Sequence, residues 1–179
     1  MADNYLEKKM EQHKARAAVS GASKKISLSS LLEHSVARGA FDGYAVRQDQ
    51  LMRIVGTAVR VSPAMPFRFK FVTGDEAARL RSCHEGIIKA TAYILVLPSA
   101  DVGPSPFLLG RVAQSMLLQA AEMGLCGAFV PHDIYSAVSD MFALPLQPLM
   151  LLAFGRSAEP SLSFDAMPCD VQADSFIIE

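Results

Sequence analysis

Three cysteines (Cys83, Cys126, Cys169) and four histidines (His13, His34, His84, His132) are the side chains best suited to nucleophilic or metal chemistry. They are dispersed, and no CxxC occurs, so neither zinc nor iron has clustered ligands. An odd cysteine count gives no disulfide framework. A Ser-His-Asp hydrolase needs a strained elbow such as GxSxG, which is absent. No GxGxxG follows a strand and no P-loop motif occurs, so phosphate binding has no local signature. His132 and Asp133 are adjacent, and adjacent side chains do not normally face each other. The pair reads as a polar loop after Val130-Pro131. Gly124-Leu125-Cys126-Gly127 admits two readings: a helix stop with chain reversal, or a backbone close enough to touch a flat ligand.

The elements around these residues follow from periodicity. Tyr5, Leu6, Met10 and His13 recur near helical spacing, so residues 3–18 predict an amphipathic helix followed by a Ser/Gly/Ala/Lys linker. Ser27 to Gly39 predicts a helix, with Ser27 or Ser29 as cap and Gly39 as stop. Phe41-Asp42-Gly43-Tyr44 is a turn, and Arg47 to Arg60 a helix carrying Leu51, Ile54, Val55 and Ala58 on one face. Pro66 to Val72 alternates Phe67, Phe69 and Phe71 with Arg68 and Lys70, the period of a half-buried strand. A short helix then ends near Cys83. The aliphatic run Ala92 to Leu97 predicts a central strand covered on both faces. Ser105-Pro106 opens a strongly apolar helix stopped by Gly124. Ile134 to Phe142 predicts another helix, Pro148 to Phe154 a buried strand, and 175–178 a short terminal strand.

The chain of 179 residues is 51% hydrophobic and 20% charged, enough apolar surface for a full core. Its 17 basic residues are balanced by 18 acidic ones, which argues against general nucleic-acid binding. Six basic residues in 1–25 read as the solvated face of a helix. Residues 157–179 carry acidic side chains and no Lys or Arg. Mean hydropathy of +0.24 points to an oligomer that buries an apolar face. The charge-free stretch Met141 to Gly155 is broken by Pro145, Gln147 and Pro148, so no membrane span is expected. Charges begin at Asp3 and no apolar signal region follows, so a cytoplasmic location is expected. Composition and spacing alone stop at a soluble, oligomeric α+β domain.

Several segments in order resemble the FMN-dependent nitroreductase family, in particular its short bacterial members. Asn4 to Glu11 is similar to that group's first helix. Ala37-Arg38-Gly39-Ala40-Phe41-Asp42, followed by Gln50 to Val55, resembles the arginine turn and the next helix. Ser62-Pro63-Ala64-Met65 with Phe67-Arg68-Phe69 resembles the loop and strand beside the flavin. Gly110 to Gly127 is similar to the central helix and its glycine-rich ending, and Leu151 to Arg156 to the last core strand. The resemblance implies an α/β sandwich with a mostly antiparallel central sheet, in an intertwined homodimer. Residues 1–25 would be an N-terminal helix and linker, and 26–179 the domain, its last strand exchanged to the partner. It also implies ping-pong hydride transfer from NAD(P)H through FMN to a small nitroaromatic or quinone-like acceptor. No protein residue need be catalytic, because the cofactor supplies the chemistry. The cofactor-binding positions carried over are Ser35, Arg38, Ala64, Met65, Phe67 and Gly127, with no metal, nucleic acid or membrane partner.

The departures from the family pattern are specific. The flavin loop is shortened between Met65 and Phe67, and its Asn and Gln are missing. Of the arginine turn only Arg38 survives, with His34 and Ser35 near the other positions. Where the short group carries Lys-Arg near its end, this chain has Val171-Gln172-Ala173-Asp174. Each lost charge-assisted hydrogen bond is worth about 1.5–3 kcal/mol. The departures keep open an alternative: a degenerate homodimer of the same fold with weak or no FMN binding, non-catalytic or with another ligand.

Overall fold

The computed structural model describes residues 27–35, 40–62, 66–99 and 105–158. The helix expected at 3–18, the strand expected at 175–178, Cys169 and the helix stop at Gly39 lie outside the described residues.

Helix α1 (Leu28–Ser35) is started by Ser27, whose Oγ accepts the N–H of Ser30 at 3.1 Å, the bond of a serine N-cap. Helix α2 (Gln48–Val61) begins where the Gln50 side chain reaches back to accept the Arg47 N–H at 3.0 Å. Its apolar stripe buries Leu51, Ile54 and Ala58 as the spacing requires. Strand β1 (Phe67–Thr73) leads into helix α3 (Gly74–Cys83), and strand β2 (Ala92–Pro98) follows.

Helix α4 (Pro106–Glu122) is the longest described element. Proline occupies its first turn, but the Ser105 hydroxyl makes no capping bond, contrary to the expected serine cap. Its C-terminus closes as a Schellman motif: Leu125 N–H bonds Ala120 O and Gly124 N–H bonds Ala121 O. Gly124 takes the left-handed conformation this requires, with φ of +72°. Strand β3 (Cys126–Phe129) follows at once and was not expected from the sequence. A 3-10 turn (His132–Ile134), helix α5 (Tyr135–Met141) and strand β4 (Met150–Gly155) complete the described fold.

The sheet has the order β1-β2-β4-β3, and every pair is antiparallel. Both central strands are apolar at consecutive positions because both faces are covered. Ala92, Ile94 and Val96 of β2, with Met150, Leu152 and Phe154 of β4, face the layer holding α2 and α4. Tyr93, Leu95, Leu151 and Ala153 face the opposite layer, where α3, Ile134 and α5 pack. The result is a three-layer α/β sandwich, with α1 against α4.

Buried polar groups in the second layer are satisfied. Tyr93 Oη donates to Ile88 O and accepts from Ala90 N–H; Tyr135 Oη accepts from Leu151 N–H at 2.9 Å. No helix among the described residues is long and apolar enough to cross a membrane.

Candidate functional site

Three of the six sequence candidates, Ser35, Phe67 and Gly127, are among the described residues, and Phe67 and Gly127 lie at opposite edges of the sheet. Phe67 opens β1, an edge strand, opposite Pro98 of β2. Gly127 lies in β3, the other edge, opposite Phe154 of β4, which in turn faces Ala92. Three strand spacings of about 4.8 Å and six residues at about 3.4 Å separate these positions, so they are roughly 25 Å apart. One isoalloxazine ring cannot touch both positions within a single copy.

Ala64 and Met65 lie outside the described residues, joined by Pro66 to Phe67. Arg38 also lies outside them, between Ser35 at the end of α1 and Ala40. Helix α1 contacts β3, so Ser35 belongs to the Gly127 corner.

Each described candidate is shaped chiefly by packing. Ser35 is 1% exposed, and its hydroxyl donates to Leu32 O at 2.7 Å. Phe67 is buried in the core of the α2–α4 layer, and Arg68 points out to solvent, as strand alternation requires. A Cβ on Gly127 would lie 2.5 Å from Leu117 Cδ2 and 3.0 Å from Phe154 Cε1. Glycine is therefore what lets α4 sit close to β3 and β4.

One polar atom breaks this pattern. Ser62 caps α2 through its backbone, its N–H bonding Ala58 O at 3.1 Å. Its Oγ is buried and has no hydrogen-bond partner among the described residues. It stands directly before Pro63-Ala64-Met65, the segment resembling the flavin loop. A buried hydroxyl without a partner costs about 1–3 kcal/mol. Ser62→Ala is therefore expected to raise the stability of the FMN-free protein by about 1 kcal/mol while weakening FMN binding. Denaturant unfolding, with and without FMN, measures both effects. Sequence reasoning placed Ser62 in the loop motif but could not show that its hydroxyl is left unpaired.

The Gly127 corner also holds a charged pair that the sequence did not indicate. Arg156, just past β4, donates from Nε to Asp42 Oδ2. The other carboxylate oxygen accepts the Tyr44 N–H at 2.8 Å. The Tyr44 N–H, and next the Arg156 guanidinium, hold the Asp42 carboxyl below the usual aspartate range.

The remaining reactive side chains are quiet. Burial pushes the Cys83 and Cys126 thiols up, away from the reactive thiolate. Cys126 Sγ faces Gly155 O at 3.7 Å. His132 and Asp133 sit exposed in the 3-10 turn, and the His132 ring tilts against Tyr135 with centroids 4.6 Å apart. No group of three or more His, Cys, Asp or Glu able to hold a metal occurs among the described residues.

This architecture is that of nitroreductase-family proteins. A nitroreductase family protein from Clostridium difficile 630 superposes with a TM-score of 0.67 at 22% identity, covering 85% of this chain and 97% of that one. The nitroreductase-like family protein from Bacillus cereus gives 0.62 at 14% identity, covering 82% and 94%. An FMN-dependent nitroreductase from Clostridium difficile R20291 gives 0.60 at 16% identity, covering 81% and 98%. No family model matches the chain, and no curated protein matches it by sequence. The chain therefore has the nitroreductase fold, which its sequence carries with few of the identities of those structures.

Proposed function

We propose that the protein is an FMN-dependent oxidoreductase of nitroreductase type that holds its flavin loosely. The observation that carries this reading is the match of the whole sandwich to folds whose members include an FMN-dependent nitroreductase and an oxidoreductase containing FMN. The orphaned Ser62 hydroxyl beside the shortened loop supports it, because it offers the ring side a donor. When bound, FMN would pass hydride from NAD(P)H to a nitroaromatic or quinone-like acceptor.

The chain's own contribution is binding and orientation. Ser62, Ala64, Met65 and the start of β1 at Phe67 would line the ring. Arg38, three residues after Ser35, would neutralise the phosphate, and the backbone near Gly127 would close that corner. Phe67 and Gly127 lie at opposite corners of one copy, so a site built from both would need a second copy to bring them together.

The same separation supports a homodimer. The helical layer leaves large apolar side chains in water: Leu28 at 65% exposure, Met52 at 58% and Phe107 at 79%. Phe129 of β3, on the same side of the sheet as Gly127, is 53% exposed. These exposed apolar groups on α1, α2, α4 and β3 are surface that a second copy would cover. The edge of β1, which pairs with no other strand among the described residues, would take the 175–178 segment of that copy. Sedimentation is expected to give a dimer at micromolar concentration. A stable monomer would remove the two-copy site.

The second reading, a homodimer of this fold without flavin, is favoured by Ser35 and Gly127. The first spends its hydroxyl proton on Leu32 O and the second exists for packing. A visible spectrum of the purified protein, with and without added FMN, separates the two readings.

A further inference from the structure

Helix α4 turns one narrow stripe away from its own fold. Phe107, Arg111 and Glu122 are exposed, and Ser115 and Leu118 are half-buried. Val112, Met116 and Ala120 occupy the buried side. At about 100° per residue, eleven residues return to within about 20° of the starting direction. Arg111 and Glu122 therefore lie along one line, about 16 Å apart on the helix axis.

The Arg111 guanidinium makes no hydrogen bond or ion pair with any described residue, and the Ser115 hydroxyl is spent on Arg111 O at 2.8 Å. Glu122 accepts the Gln119 amide N–H with one carboxylate oxygen, and the other has no partner among the described residues. A cation near one end of the stripe and an anion near the other make the stripe complementary to itself. A two-fold axis perpendicular to α4 through its middle carries Arg111 onto Glu122 of a second copy, and Glu122 onto Arg111. That reciprocity is what a two-fold interface requires. The same axis sets Ser115 against Leu118, small against large, in both directions. Helices that cross at about 20° have axes about 8–10 Å apart, a gap that an arginine and a glutamate together span. Gly110 borders the stripe, and no atom lies within 4 Å of where its Cβ would stand. Packing inside the described residues gives no reason for a glycine that weakens a helix interior; a second helix close by does.

The path of α4 links this pairing to the candidate site. The helix follows the end of β2 that lies opposite Phe67 and runs back to the start of β3, next to Gly127. It passes from β2 to β3 across β4, which lies between them. A two-fold that exchanges its ends sets the Gly127 corner of each copy toward the Phe67 corner of the other.

We propose that two copies dock α4 to α4, antiparallel, with Arg111 of each paired to Glu122 of the other. This rests on the two-copy reading above and adds its contact surface and its alignment.

The test is sedimentation of the full chain and its charge-reversed variants. Arg111→Glu and Glu122→Arg each bring like charges together twice per dimer. Each is expected to raise the dimer dissociation constant at least about tenfold. The double reversal should return it to within about threefold of the unaltered value. An equal mixture of the two single variants should recover too, as a heterodimer, because one chain is then acidic at both positions and the other basic at both. Leu118→Arg sets a bulky cation against Ser115 and near Arg111 of the second copy. It should dissociate the dimer, and serves if Glu122→Arg does not fold.

A dimer unmoved by either single reversal, or by Leu118→Arg, would overturn the α4 pairing while leaving a dimer built on another face. Loss on single reversal with no recovery in the double variant or the mixture would overturn it too. A monomer at every concentration of the unaltered protein would instead remove the two-copy reading, and the pairing with it.

Discussion

The purified protein is expected to be largely colourless and to bind added FMN with a dissociation constant in the micromolar range or weaker, about −8 kcal/mol or less favourable. The reason is an inventory of charges. The phosphate of FMN carries close to two negative charges, and a site built for it uses several cations. Here Arg38 is the one basic residue that matches the family's contacts, and residues 157–179 hold no Lys or Arg to substitute. Arg156, just past β4, is engaged with Asp42. Arg68 is exposed, on the face of β1 opposite Phe67. Two or three lost charge-assisted bonds at about 1.5–3 kcal/mol each amount to about two to six decades of affinity. Absorbance after gel filtration checks this directly. Stoichiometric yellow FMN surviving dialysis would show that other residues replace the lost contacts.

Phe154→Ala is expected to cost about 3–5 kcal/mol of stability, a large share of what a domain of this size has. Phe154 is fully buried in β4, a central strand. Its ring packs against the bare Cα of Gly127, which has no side chain to move into the vacated space. Its cross-strand neighbour on the same face, Ala92, is also small. The cavity would therefore stay open, the condition under which truncations cost most. Denaturant unfolding of the variant measures it. A loss under about 1 kcal/mol would contradict the tight α4–sheet packing described above.

The parts of the fold legible in the sequence are those with one dominant periodicity. The runs 92–97 and 148–154 read as buried strands because both faces of the sheet are covered and every position had to be apolar. The α2 stripe was legible because only one side of that helix meets the core. Strand β3 was not legible: four residues, Cys-Gly-Ala-Phe, carry no β-branched side chain and too few positions to show alternation. The sequence offered the Gly124–Gly127 stretch as a helix stop or as a backbone close to a flat ligand; in the structure the close neighbours of Gly127 are Leu117, ten residues upstream in α4, and Phe154 across in β4. The spacing that would reveal this exists only once the helix is folded back.

The site was less legible than the fold for a similar reason. Asp42 and Arg156 are separated by 114 positions, so no motif links them. Ser62 stood inside a recognised motif, yet its missing partner is a fact of three-dimensional packing. What the sequence did show was the pattern of losses: a short loop, one surviving arginine and an acidic tail.

The central claim is tested most directly by titrating the unaltered protein into FMN, with NADH or NADPH in excess and oxygen excluded, while following the visible absorbance of the flavin. The account predicts bleaching whose rate rises with protein concentration and saturates in the micromolar range or above. A rate equal to that of free FMN at every protein concentration, with no saturable change in the flavin spectrum, would contradict it.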